Sequence, residues 1–139
     1  MKLTYIVLVI MLFARSASGQ NTHQSDAPYA EIVFYRAFIP KMKAPIKKVP
    51  IYIGNTLVYS LKANTIWRTK IFKEGKHYVA IDEAGETTVL FNVTFGNTYY
   101  FKCEVVPGLW FGKPTILLVA PDIGKGECET LEKKLTQKN

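Results

Sequence analysis

The chain has 139 residues, a formal net charge of +7, 48% hydrophobic residues and two cysteines. That length makes one domain with a core of its own. It has no fixed-period repeat and no low-complexity segment, and no nucleic-acid recognition motif accompanies the basic charge.

Residues 1–19 read MKLTYIVLVIMLFARSASG: Lys2 precedes an apolar run from Ile6 to Phe13, and small residues follow. This is the pattern of a secretory signal peptide, with cleavage expected after Gly19 and Gln20 as the mature start. The run is shorter than the roughly 20 residues that span a bilayer, and charges interrupt every later apolar run. No cysteine stands at the cleavage end to take a lipid. The expectation is an exported protein, periplasmic or extracellular and not transmembrane. The mature chain keeps sixteen bases against eleven acids. Such a balance mildly favours anionic partners, although a solvated basic surface accounts for it equally.

Residues 20–29 are polar and unpatterned, and read as a flexible lead-in to a single domain over 30–139. AEIVFYRA (30–37) is β-branched and aromatic on both faces, which suits a strand covered on both sides. FIPKMKAPIKKVP (38–50) holds three prolines and four lysines, and reads as a long loop or broken edge. IYIGNTLVYSL (51–61) predicts a hairpin around Gly54-Asn55. TIWRTKIF (65–72), a turn at 73–76 and HYVAI (77–81) predict a second hairpin. Asp82 to Glu86 forms the next turn. In TTVLFNVTF (87–95), Val89, Phe91, Val93 and Phe95 share one face. Gly96-Asn97 turns the chain into TYYFKCEVV (98–106), where Tyr99, Phe101, Cys103 and Val105 lie opposite Lys102 and Glu104. PGLWFGKP (107–114) reads as a loop, TILLVA (115–120) as an apolar strand, and PDIGKGE (121–127) as a turn region. CETLEKKL (128–135) predicts a short helix with Cys128, Leu131 and Leu135 on one face.

Seven or eight short antiparallel strands with a small C-terminal helix predict an all-β, immunoglobulin-like β-sandwich, with a small barrel as the alternative. An even cysteine count in an exported chain favours a Cys103–Cys128 disulfide. Its loop of about 25 residues would contribute on the order of 3 kcal/mol in the chain-entropy model. Two separate buried thiols are the alternative.

The order of features also resembles a known family. The opening strand Ala30 to Arg36, the hairpin Ile51 to Leu61, the turn Gly75-Lys76-His77 and the Tyr-Tyr strand Thr98 to Phe101 are similar to the domain of unknown function 2846 family. Its members are small exported or lipid-anchored bacterial proteins. The likeness covers roughly residues 28–125. Glu74 stands where the family's turn usually has proline, and the lipid-accepting cysteine of many members is absent. The resemblance implies a β-sandwich at the bacterial cell envelope and no established activity.

The chemistry-bearing residues are sparse. Ser25 lies in the lead-in and Ser60 in mid-strand with no glycine elbow, and Cys103 is expected to face the core, so no nucleophile meets a base. His77 begins a strand after a turn; the plain expectation is that its ring bonds a backbone carbonyl. Two histidines make no zinc site. Asp82, Glu83 and Glu86 lack calcium-loop spacing. Asn92-Val93-Thr94 is a glycosylation sequon only in a eukaryotic source. No catalytic residue, metal site or cofactor is therefore expected.

Two elements remain as candidate binding features. Leu109-Trp110-Phe111 is flanked by glycines and prolines, and suits sugar stacking or a surface contact if exposed; otherwise it caps the sandwich. Lys41, Lys43, Lys47 and Lys48 suit phosphate-rich lipid or acidic glycan, or simply guard a sheet edge. The sequence thus points to an exported, non-enzymatic binding or structural accessory module. The alternative is a glycan- or surface-binding module using Trp110 and Phe111. The partner is envelope glycan, anionic lipid or an exported protein, and not nucleic acid.

Overall fold

Apolar residues recurring at every second position give most strands of this chain one face to bury, and β1 buries both of its faces along nearly its whole length. The computed structural model describes residues 27–37, 48–106 and 112–138. Among the described residues are eight strands and one helix: β1 (Ala30–Arg36), β2 (Lys48–Ile53), β3 (Thr56–Lys62), β4 (Thr65–Ile71), β5 (Gly75–Ala80), β6 (Thr88–Val93), β7 (Thr98–Val106), β8 (Lys113–Val119) and α1 (Pro121–Thr136). They form two four-stranded sheets, ordered β4-β1-β7-β8 (sheet A) and β3-β2-β5-β6 (sheet B).

The sheets share one core. Ile32 and Phe34 of β1, Phe101 and Cys103 of β7 and Ile116 of β8 meet Val49, Ile51, Leu61, Val79, Phe91 and Val93 of sheet B. A run of ring contacts crosses this core: Tyr59 stacks on Trp67 at 4.7 Å between centroids, Trp67 on Phe34 at 5.5 Å, Phe34 on Phe101 at 5.2 Å, and Phe101 meets Phe91 edge-on at 5.0 Å. Rings at these separations add attraction beyond their buried area. β1 is covered on both sides, as its sequence predicts, because Val33 and Tyr35 on its far face pack under α1 with Tyr100, Cys128 and Leu131. It pairs antiparallel with β4 but parallel with β7, a departure from the expected antiparallel strands that follows from β1 lying between two strands of opposite direction.

The first hairpin forms around Gly54-Asn55, with Gly54 at φ +61°, a conformation that suits glycine. β2 begins at Lys48, three residues earlier than the loop reading allowed. Pro50 fits there because the β2–β5 ladder involves only Tyr52 and Ile53, so the proline lies beyond it.

Three expectations are corrected. β4 and β5 do not form a hairpin: β4 pairs with β1 in sheet A and β5 with β2 and β6 in sheet B, so residues 72–74 carry the chain between sheets. Local turn chemistry cannot distinguish a hairpin from a crossover. PDIGKGE is not a turn but the first half of α1, with Pro121 in its opening turn, a position where the missing N–H loses no helical bond. Gly124 is buried against Tyr100, where an added Cβ would come within 2.3 Å of the Tyr100 Cβ. This glycine is a close-approach point between helix and sheet. Finally, the cysteines are separate buried thiols. Cys103 faces the core between the sheets, and Cys128 faces the opposite side of sheet A under α1. The helix docks through Cys128 and Leu131, while Leu135 of the expected face stays exposed, and it docks on the side of β7 that Cys103 turns away from.

Candidate functional site

The same alternation that sends Phe34 and Phe101 into the core sends Tyr35 and Lys102 to the outer face of sheet A. There they meet α1. Between helix and sheet lies a groove of about 440 Å³, whose lining includes Tyr35, Lys102, Ile123, Glu127, Leu131 and Lys134. This volume lies within the range of small-ligand sites.

A chain of polar contacts forms one wall. The Tyr35 hydroxyl donates to Glu127 Oε2 at 2.5 Å. Lys102 Nζ donates to Glu127 Oε1 at 3.0 Å and pairs with Glu104 Oε1 at 2.9 Å. Burial raises the Tyr35 phenol well above its ordinary value, and the carboxylate it donates to raises it further. For Glu127, burial acts upward, but the Tyr35 hydroxyl and the Lys102 ammonium outweigh it and hold the carboxyl below the usual range. The Glu104 contact raises Lys102 against its own partial burial, with Glu127 adding to the effect. Around neutrality the three groups are therefore a neutral phenol, a carboxylate and an ammonium. Ile123 and Leu131 flank Glu127 one helical turn to either side and make the helix side of the groove apolar around it.

The two thiols are held protonated. Burial pushes Cys103 up to about 12 despite Arg36 nearby, and Cys128 up to about 11 despite Arg68. Such thiols are poor nucleophiles. Arg36, at the end of β1, is 4% exposed and lies in the field of Cys103.

Leu109, Trp110, Phe111, Lys41, Lys43 and Lys47 lie outside the described residues. Lys48 is exposed at the start of β2, in register with Lys62 of β3, and is far in the sheet order from the groove. His77 donates from Nε2 to the Lys73 carbonyl at 2.8 Å, as the plain reading expects. Asp82 spends both carboxylate oxygens on the amides of Glu86 and Thr87, at 2.8 and 2.7 Å, closing the β5–β6 turn. Among the described residues, no helix is long and apolar enough to cross a membrane.

Sequence reasoning missed the groove. Lys102 was legible as outward-facing, and a tyrosine in a doubly covered strand signals a buried hydroxyl in need of an acceptor. Glu127 was hidden because its segment reads as a turn. No family model, curated protein or solved structure matches the chain.

Proposed function

We propose that this chain is an exported, non-enzymatic immunoglobulin-like β-sandwich that serves as a binding or structural accessory module at the bacterial cell envelope. The family resemblance of residues 28–125 and the leader support the location. The observation that carries the reading is the Tyr35–Glu127–Lys102 chain in the groove, extended by the Lys102–Glu104 pair. Tyr35, Glu127 and Lys102 are each held in one charge state near neutrality, so the groove presents a constant pattern of charge beside an apolar surface. A site of that kind selects by fit and charge, whereas general acid–base catalysis needs a group that titrates near the working pH.

The test is co-sedimentation of the exported protein with fractionated cell envelope, beside an Ile123→Ser variant that removes the apolar side chain from the groove and adds no charge beside Glu127. Retention of the parent protein and loss of the variant is the expected result. Failure of the parent to bind any fraction would overturn the reading. Equal retention of parent and Ile123→Ser, with loss in a Trp110→Ala, Phe111→Ala variant, would move the contact to that loop.

A further inference from the structure

The two edges of sheet A are built differently. β4 carries Arg68 and Lys70, which discourage another strand from pairing. β8 has Lys113 and Pro114 only at its beginning. From Thr115 to Val119 it is uncharged, and Leu117 and Leu118 are 48% and 41% exposed. Among the described residues, the sheet order ends at β8. The helix rests against Val33, Tyr35 and Tyr100 of β1 and β7 and leaves Leu117 exposed. β6 lies beside β8 across the sandwich, so the edge is reached from the side away from β7. Among the described residues no strand pairs with the outer side of β8, and an uncharged apolar edge of this kind is a template for another strand.

The charges bracketing the run indicate which strand. Lys113 stands at its start and Asp122 just beyond its end, and both are exposed. An antiparallel copy of the same edge brings each Lys113 toward the other copy's Asp122 end and keeps the two Lys113 side chains at opposite ends. Lys125 lies a turn further along α1. We propose that β8 pairs antiparallel with β8 of a second copy of this chain, about a two-fold axis at Leu117, joining two four-stranded sheets into one of eight. In that register Leu117 meets Leu117, Ile116 meets Leu118 and Thr115 meets Val119, all apolar or β-branched pairs that stabilise sheets. The arrangement is closed. Pairing β8 with the β4 edge would instead be open-ended and would set Lys113 near a basic edge. The dimer does not depend on what the groove binds.

Sedimentation and light scattering on the protein expressed from its full sequence, in the form the cell yields, test this at ~100 μM, where a dimer of micromolar Kd is well populated. The expected mass is that of two chains. Leu117→Lys places two like charges on the axis and reduces the mass to one chain, with an unchanged circular dichroism spectrum. Leu117→Cys is the milder probe. Opposed Cα atoms in antiparallel strands lie about 4.5–5.5 Å apart, within disulfide range, so the variant forms a covalent dimer under oxidation, while Lys70→Cys on the β4 edge stays single. Lys113→Asp weakens the dimer, and adding Asp122→Lys restores it. A single-chain mass for the parent protein, a dimer that survives Leu117→Lys, or equal crosslinking at positions 117 and 70 would each overturn the proposal.

Discussion

The two faces of sheet A are held by different physics. Its inner face is sealed by aliphatic and aromatic side chains against sheet B, with Phe34, Phe101 and Ile32 fully buried. Its outer face carries a single helix, held by a small cluster of Val33, Tyr35, Tyr100, Cys128 and Leu131 and by the polar chain through Glu127. The Arg68–Glu132 pair at 3.3 Å adds an exposed tie of the kind that contributes little. Apolar burial is insensitive to pH over the range where carboxylates titrate. Polar contacts around a carboxylate are sensitive to it. The inner face is therefore a stability device, and the outer face is the part of the fold that pH, ligands and single charges are able to adjust.

Truncation of the inner face gives the largest effect. Phe101→Ala removes the ring between Phe34 and Phe91 and is expected to destabilise the whole domain by about 3–5 kcal/mol, read from the urea midpoint. A smaller loss would mean that the sandwich core is not the main source of stability.

Gly124→Ala strikes the outer face. Its Cβ meets Tyr100 backed by strand β7, so helix or sheet has to shift. A loss of about 2 kcal/mol is expected, with faster amide exchange in α1 and little change in β1 and β7. Uniform acceleration across the domain would erase the distinction between the faces.

The thiols report the same difference without a core mutation. Cys128 becomes accessible when α1 lifts, and Cys103 only when the sheets part. A thiol reagent under native conditions is expected to label Cys128 at least about tenfold faster, which corresponds to an opening free energy lower by about 1.4 kcal/mol.

The pH dependence has two limbs with separate origins. Glu127 is held below its ordinary 4.5, so its contribution is present above that pH and is lost as pH falls through its folded-state value. Acid should release the helix first, and Glu127→Gln should flatten that limb. Cys103 and Cys128 lie above their ordinary 9.0, so their contribution is present below pH 9 and is lost as pH rises toward 11 and 12. Melting temperature against pH, in the parent and in Cys128→Ala, checks the second limb. An alkaline limb unchanged by that substitution would place its origin elsewhere. The smallest expected effect is that of Tyr35→Phe, about 1 kcal/mol, because Glu127 keeps Lys102 as a partner.

Much of this architecture follows from residue order. Period-two alternation placed Val89, Phe91 and Val93 on one face of β6, and Tyr99, Phe101, Cys103 and Val105 on one face of β7. A glycine-asparagine pair predicted the β2–β3 turn, and the density of apolar residues on both faces of β1 predicted a strand covered twice. These are local properties, because side-chain period and backbone freedom act within a few residues. Strand partners are not local. The turn at 73–76 suited a hairpin as well as a crossover, and only the packing of two sheets sent β4 and β5 apart. Gly124 read as a turn residue until Tyr100 stood opposite, where a missing Cβ lets the helix approach. Cys103 and Cys128 satisfied every sequence condition for a disulfide except sidedness. That condition is set by which face of β7 the helix covers, a choice made by long-range burial and invisible in the spacing of the cysteines.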